Sequence, residues 1–355
     1  MKKLLLLGLM VLTSLSLYGC YDTETTIYTL ENVEGQISAV YEEVDDMTVA
    51  VVSYVDDTYD IVAGHGSGLI YDREAIEVGY RYYVITNYHV VESQAYIKIY
   101  NGITYYQANP FAINEVEDLA LVTFDTVDEI TIFGTEQFSG EVYAKPTIGS
   151  FVLAVGTPLD LEFYNTATLG IVGQTSNPKV IQHDASINPG NSGGPLFDLN
   201  GNLLGFNTWK RAAVNTAEGE IAVEGIGFAI SMLVAIPTIN QMRQTGESVF
   251  LAPKIGVTVT TVPEAIEDLF DGVRPEHIEE TQTTGIYVLS VVPLRPAYGK
   301  IYAKDIITHV NGNAVSTIED LAGLIADAEF GTSLELAIRR YDNGVFSTVN
   351  IIIIL

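Results

Sequence analysis

Between Val33 and Gly246 the chain alternates short runs of β-branched and aromatic residues with clusters of Gly, Asn, Asp and Pro. Val49–Val55, Tyr82–Thr86, Tyr96–Tyr100, Phe151–Val155 and Leu203–Asn207 are examples. Runs of this length bounded by turn formers read as strands, and their regular spacing points to an all-β barrel or sandwich. A helix is predicted at Met232–Thr245, with Ser231 as its candidate cap, Gly246 as its stop and Pro237 interrupting it. Past a boundary near Gly246–Pro253 the pattern changes, and strands mix with two helix candidates. One of these, Ile318–Ala328, has apolar residues at Ile318, Leu321, Leu324 and Ile325, a helical spacing. The closing run Ile351–Leu355 is too short to span a bilayer and reads as a buried terminal strand.

Ahead of the strand pattern, Lys2 and Lys3 precede an apolar stretch from Leu4 to Leu17. That is the size of a signal-peptide core and short for a membrane span. The stretch ends in Leu17-Tyr18-Gly19-Cys20, and a small residue followed by cysteine resembles a bacterial lipobox, with Tyr18 bulkier than the pattern's usual residue. The resemblance implies a lipoprotein-type signal peptide over 1–20, a lipid on Cys20, and a polar tether over 21–32. The expected location is then extracytoplasmic, at a bacterial cell membrane, with a secreted or periplasmic protein as the alternative. Cys20 is the sole cysteine of the sequence, so there is neither an intrachain disulfide nor a thiolate metal site.

Composition narrows the function classes. With 355 residues the chain can build two or three domains, and 48% hydrophobic with 10% aromatic residues excludes global disorder. A net charge of −28, from 45 acidic against 17 basic residues, argues against nucleic acid and against electrostatic adhesion to anionic lipid. The acidic excess reads as a solvated surface. His65, His89, His183, His277 and His309 form no metal-binding pattern, and no Gly-x-x-x-x-Gly-Lys phosphate loop occurs, so no metal or cofactor is expected.

The chemistry lies in Asn188-Pro189-Gly190-Asn191-Ser192-Gly193-Gly194-Pro195-Leu196. A serine that attacks a carbonyl needs nearby backbone N–H groups to hold the developing oxyanion, and glycines let the backbone bend to present them. Such a run is also an ordinary surface turn unless it has partners. Upstream, the strand Val84-Ile85-Thr86-Asn87-Tyr88-His89 ends at a histidine, and Asp118 stands at the mouth of Leu119-Ala120-Leu121-Val122. The order His, Asp, Ser is that of the chymotrypsin-type triad. Asp125 and Asp128 are alternative acids; Asp118 is preferred because the apolar run after it buries its surroundings. His89 is then the base, Asp118 the orienting acid and Ser192 the nucleophile. Gly190 and Ser192 supply the oxyanion donors, with Asn191 shaping the turn.

With these pieces the chain resembles the HtrA/Deg-type trypsin-like serine proteases. Gly66-Ser67-Gly68-Leu69-Ile70, Gly156-Thr157-Pro158, Asp184-Ala185-Ser186-Ile187 and Gly225-Ile226-Gly227-Phe228-Ala229-Ile230 also match, in the family's order. The resemblance implies a mostly β fold: a chymotrypsin-like double β-barrel over 33–248, then a PDZ-like α+β domain over 252–355. It places Ile187 and Ile226 in the primary pocket, favouring small aliphatic side chains. Trp209, Lys210 and Arg211 depart from the family there, and whether they roof the pocket, enter it or face solvent stays open. His183 stands where the family commonly has threonine and reads as structural. Thr208–Glu224, polar and charged, reads as a mobile surface loop of the kind that orders the oxyanion hole.

In the PDZ-like part, Lys254-Ile255-Gly256-Val257 resembles the carboxylate-binding loop, so Ile255, Gly256 and Val257 are expected to receive peptide C-termini by strand addition. Ala303–Val315 resembles the central strand and turn, while Pro296-Ala297-Tyr298-Gly299-Lys300 departs from the family's small-residue turn. The implied activity is ATP-independent, extracytoplasmic cleavage of unfolded or damaged proteins, regulated by the PDZ-like domain. The implied partners are misfolded substrates, the membrane through Cys20, and a homo-oligomer, a trimer in the family. A non-proteolytic chaperone or scaffold lipoprotein of the same fold, and a narrow processing protease, are the rival readings.

Overall fold

The computed structural model describes residues 30–55, 58–92, 96–138, 144–208, 213–216, 219–222, 225–326 and 328–355. Cys20, with the segment around it, and Trp209, Lys210 and Arg211 lie outside the described residues. The chain falls into two units, Met1–Ser38 and Ala39–Leu355. Helix α1 (Leu30–Val44) crosses the division where strands were expected from Val33. The apolar residues Val33, Ile37, Val40 and Val44 recur at spacings of four and three, a helical period that a strand would scatter over both faces.

Strands β1 (Thr48–Tyr54), β2 (Val62–Ala75), β3 (Tyr80–Thr86), β4 (Tyr96–Tyr100), β5 (Tyr105–Asn114) and β6 (Leu119–Thr126) close into a barrel in the order β1-β2-β3-β6-β5-β4. One helical turn, α2 (Tyr88–Val91), leads out of β3. Every residue of β1 is buried because the strand is covered on both faces. Val49 and Val51 enter the barrel core, while Ala50, Val52 and Tyr54 pack under Tyr59, Tyr96, Tyr100, Leu161 and Tyr164. That double burial explains its nearly unbroken apolar sequence.

A second closed barrel uses β7 (Phe151–Gly156), β8 (Thr166–Gln174), β9 (Val180–His183), β10 (Pro195–Phe197), β11 (Leu203–Asn207) and β14 (Gly227–Ser231), with a hairpin, β12 (Ala213–Thr216) and β13 (Gly219–Ala222), between the last two. The segment read as a loop from Thr208 to Glu224 therefore contains a hairpin, and its first residue, Thr208, is buried. Helix α3 (Met232–Thr245) follows and is not interrupted at Pro237. Pro237 and Leu233, whose carbonyl the missing N–H would have reached, both lie on the exposed face, where water can take the place of that bond. Ser231 precedes the helix but does not cap it with its side chain; its hydroxyl donates to the Pro178 carbonyl at 2.6 Å. Gly246 ends the helix in the left-handed conformation at φ 67°, its N–H bonded to the Met242 carbonyl.

The C-terminal sheet runs β15 (Val257–Thr261), β16 (Ile286–Val291), β17 (Ile306–Val310), β19 (Ser333–Asp342) and β20 (Val345–Ile354), with β18 (Asn313–Ala314) paired to β17. Helix α4 (Ile318–Ala326) lies against its core through Leu321, Leu324 and Ile325. The terminal strand is buried on one face only. Ile351, Ile353 and Leu355 enter the core, whereas Ile352 and Ile354 are 62% and 60% exposed, the alternation a one-sided strand requires.

Candidate active site

The sequence turns sharply at the end of β3. Asn87 stays extended, α2 begins, and the Asn87 amide and the Tyr88 N–H both reach the Asp118 carbonyl, at 2.9 and 3.2 Å. These bonds hold Asp118 at φ 55°, a left-handed conformation that aspartate tolerates and that turns its carboxylate onto the histidine. His89 Nδ1 lies 3.0 and 2.9 Å from the two Asp118 oxygens, and the His89 backbone N–H also donates to the carboxylate at 3.1 Å. The Thr208 hydroxyl adds a bond of 3.2 Å to Oδ2. With Nδ1–H committed to the carboxylate, Nε2 is the nitrogen left to take a proton. The alternative acids are elsewhere: Asp125 is paired with Arg81 on the surface, and Asp128 accepts from Tyr106.

Ser192 is set by its backbone. Its carbonyl accepts from the Ser67 N–H at 2.8 Å, and a Cβ at Gly66 would lie 2.9 Å from that carbonyl and 2.5 Å from the side chain of Val90, the residue after His89. The serine loop and α2 thus meet across the glycines of β2. Nothing larger than glycine fits at 66.

The oxyanion turn is pinned peptide by peptide. The Pro189 carbonyl accepts from the Leu159 N–H at 2.7 Å, so the Gly190 N–H of the same trans peptide points the opposite way, and it has no hydrogen-bond partner in the described structure. The Gly190 carbonyl accepts from the Ser67 hydroxyl at 2.8 Å, which in turn accepts from the Thr157 N–H at 2.8 Å. His65 Nε2 is 3.0 Å from the Thr157 carbonyl, bracing the same loop. Gly190 is at φ 101°, open only to glycine, and Asn191 completes the turn through bonds with Asn188 and Gly194. Sequence reasoning missed Ser67, His65, Thr208 and Leu159. Ser67 sat inside a quoted glycine motif, but only the closed barrels bring β2 against the serine loop.

Ile187 is partly buried against the second barrel's core, and Ile226 stands half-buried immediately before β14. The loop holding Ile255, Gly256 and Val257 lines a cavity of about 460 Å³ with α4 on one side. Gly256 is at φ 82°, and a Cβ there would lie 2.0 Å from that of Arg295. Two residues of the first barrel, Tyr88 and Glu92, share the cavity wall. Behind it, the buried Arg295 guanidinium bonds Glu115 at 2.9 Å and the Tyr88 hydroxyl at 3.2 Å, and stacks 3.8 Å from the Phe250 ring centroid. Burial alone would raise the Glu115 carboxyl; the Leu251 N–H, Arg295 and Lys254 outweigh it and hold the group below the usual carboxylate range. Burial pushes the Tyr88 phenol up to about 12.

Two closed six-stranded barrels with a His–Asp pair and a pinned glycine–serine turn define a trypsin-like serine endopeptidase. Residues 66–206 match the trypsin-like peptidase domain and residues 253–353 the PDZ domain. The Serine protease Do-like HtrA of Lactococcus lactis subsp. cremoris is 28% identical over 357 residues, covering 90% of this chain and 83% of that protein. The protein of the same name in Bacillus subtilis is 31% identical over 304 residues, covering 80% of this chain and 63% of that one. A crystal structure of the serine endoprotease from Yersinia pestis, 26% identical, covers 90% of this chain and 97% of its own, with a TM-score of 0.47. On the two domain matches and the curated relatives, the chain belongs to the HtrA-type serine proteases with a C-terminal PDZ domain.

Proposed function

We propose that this protease is an ATP-independent quality-control enzyme outside the cytoplasm, lipid-anchored at Cys20, that cuts unfolded or damaged proteins as a homo-oligomer under control of its PDZ groove. The observation carrying the catalytic part is the Asp118–His89 pair together with a turn whose Gly190 N–H makes no hydrogen bond among the described residues.

In the reaction, Ser192 Oγ bonds to the scissile carbonyl carbon while its proton passes to His89 Nε2. The carbonyl electrons move onto oxygen, and the Gly190 and Ser192 N–H groups hold that oxyanion. On collapse the C–N bond breaks and His89 returns the proton to the leaving amine. Water then repeats the sequence on the acyl-enzyme. Asp118 fixes the imidazole tautomer and stabilises the imidazolium throughout. Extended substrate is favoured because the scissile peptide must thread between the two barrels. Export and anchoring are supported by Lys2, Lys3, the apolar stretch to Leu17 and Gly19-Cys20. Among the described residues no helix is long and apolar enough to cross a membrane. PDZ control is supported by the cavity wall shared by Tyr88 and the Ile255–Val257 loop.

The test is labelling of the mature protein by a serine-directed fluorophosphonate, beside Ser192→Ala, with and without denatured casein. Labelling lost in Ser192→Ala, and casein cleaved by the native enzyme alone, is the expected result. A folded protein that takes no label under either condition would return the weight to a non-proteolytic binder.

A further inference from the structure

Strand β15 is an edge of the C-terminal sheet. It pairs with β16 alone, and the cavity of about 460 Å³ separates its other side from α4. The ladder fixes which backbone groups face that cavity. The Gly256 carbonyl accepts from the Val292 N–H, and the Val262 N–H donates to the Gly285 carbonyl, both at 2.9 Å. Residues 256 and 262 therefore turn toward β16, and by the two-residue period so do Thr258 and Thr260. Val257, Val259 and Thr261 turn their N–H and C=O groups the other way. Val257 and Val259 line the cavity, which stops short of Thr261.

The third of these outward positions is closed. The chain leaves β15 in a single helical turn, Val262–Glu264, and the Glu264 carboxylate folds back on the strand. Its Oε2 accepts from the Thr261 N–H at 3.1 Å, the Thr261 hydroxyl at 2.9 Å and the Thr260 hydroxyl at 3.0 Å. The Glu264 N–H in turn donates to the Thr261 hydroxyl at 3.3 Å, which completes a reciprocal capping box. These donors, the Thr261 N–H first, hold the carboxyl below the usual carboxylate range, so the group is charged at neutral pH. Glu264 is exposed, and its Oε1 accepts no hydrogen bond among the described residues.

A peptide whose carboxylate sits on the Ile255–Val257 loop runs antiparallel to β15. Its last residue then faces Val257, the third from its end faces Val259, and the fifth faces Thr261. The first two meet open ladder positions. The fifth brings its carbonyl to an N–H that is already taken, with a carboxylate in front of it, and two acceptors repel. A lysine or arginine side chain at that residue is attracted instead and can reach Oε1. The loop end of the groove has the opposite sign. Lys254 is exposed there, while the neighbouring acids are engaged, Glu115 with Arg295 and Lys254, and Glu92 with the Tyr88 hydroxyl at 3.3 Å. The groove is thus polarised to match a chain end, with a carboxylate at one end of the bound segment and a cation at the other.

We propose that Glu264 is a specificity-determining residue of the peptide groove: strand addition holds only the last four residues of a bound protein chain, and longer tails are favoured when the fifth residue from the end is lysine or arginine. The proposal rests on the reading of the Ile255–Val257 loop as the peptide site and adds to it the length and the charge of the ligand. The apolar wall formed by Val257, Val259, Leu321 and Ile325 suits an apolar last residue.

Binding is measured by calorimetric titration of the full-length Ser192→Ala protein, which cannot cut the probes. These are an acetylated tetrapeptide ending in leucine and valine with a free carboxylate, its C-terminal amide, and octapeptides that extend it upstream with alanines and carry lysine, alanine or glutamate at the fifth residue from the end. The tetrapeptide and the alanine octapeptide should bind alike, within about twofold, whereas an open ladder position would add more. At low salt the lysine octapeptide should bind about threefold tighter than the alanine one and the glutamate octapeptide about threefold weaker. Both differences should vanish in about 0.5 M NaCl. In Glu264→Gln, whose amide oxygen keeps the cap, the three octapeptides should converge. In Glu264→Ala the released Thr261 N–H should let the alanine octapeptide gain about fivefold over the tetrapeptide; if that variant fails to fold, the native and Glu264→Gln titrations decide. An alanine extension that tightens native binding about tenfold, equal affinities for the lysine and glutamate octapeptides, or a lysine preference undiminished in Glu264→Gln would each overturn the proposal. Binding of the free carboxylates and not of the amide would show that the peptide-site reading stands even then; no binding of any peptide would bring down both.

Discussion

Replacing Ser67 by alanine removes one oxygen and tests how the oxyanion turn is held. The hydroxyl donates to the Gly190 carbonyl and accepts from the Thr157 N–H, both at 2.8 Å, and Ser67 is fully buried, so water cannot replace it. Each buried group left without a partner costs about 1–3 kcal/mol. The Leu159 bond to Pro189 and the Asn191 bonds with Asn188 and Gly194 survive the substitution, so the turn loses part of its anchoring rather than all of it. A penalty of about 1.4–2.8 kcal/mol on the catalytic turn corresponds to a fall of about 10- to 100-fold in kcat, short of the ~10²–10³ for losing an oxyanion donor outright. The fall should appear in kcat with KM for a short peptide unchanged within about threefold, because the ground-state carbonyl makes little use of the hole. Affinity for a peptide boronic acid, which mimics the tetrahedral adduct, should fall in parallel. Ser67→Thr, which keeps the hydroxyl, should recover activity if its extra methyl is accommodated. Wild-type kcat in a Ser67→Ala enzyme whose melting temperature has dropped would refute the reasoning and make the serine a packing residue only.

Asp118→Asn should lower kcat by about 10⁴ with little change in KM, since an amide cannot hold Nδ1–H toward itself in the required tautomer; near-normal turnover would exclude Asp118 as the orienting acid. Glu115→Ala leaves the Arg295 guanidinium buried without its carboxylate and should destabilise the protein by about 3 kcal/mol in urea unfolding, with Arg295→Met added to it recovering most of that loss; no change in the midpoint would show the pair to be solvated. His183 accepts a proton near pH 6.5 in the unfolded chain but only near 4 in the folded one, so its contribution is complete above pH 6.5 and is lost as pH falls toward 4. The native protein should therefore lose about 3 kcal/mol more stability than His183→Thr between pH 7 and 4, as measured by urea melts across that range; parallel curves would show the imidazole to be solvated.

Much of the fold was legible because its signals are local. Tyr96–Tyr100 and Leu203–Asn207 are strands bounded as their turn residues imply, and α3 ends at the glycine that marks its stop. Asp118 could be chosen over Asp125 because the apolar run after it is itself a local feature. What the sequence hid depends on register and closure. Val33 to Val44 looked like part of a strand-rich stretch until its spacing was followed through a full turn. Pro237 looked like a break, yet a proline on the exposed face of an amphipathic helix removes a bond that water replaces. Ser67 lies 123 residues from Gly190, and only barrel closure makes them partners. His183 read as structural because its missing partner is a property of the folded interior, which no neighbouring residue announces.

The same short helix joins the catalytic pair to the cavity beside the Ile255–Val257 loop. Successive residues of a helix point about 100° apart, so the single turn of α2 serves separate neighbours. Tyr88 bonds Arg295 and lines the cavity beside the Ile255–Val257 loop, His89 meets Asp118, and Val90 borders Gly66, against which the Ser192 carbonyl packs. Glu115, at the other end of the Arg295 contact, lies three residues before Asp118 and is held by Leu251 of the linker. Arg295, packed behind Gly256, thus bonds the residue next to His89 and a residue three positions before Asp118.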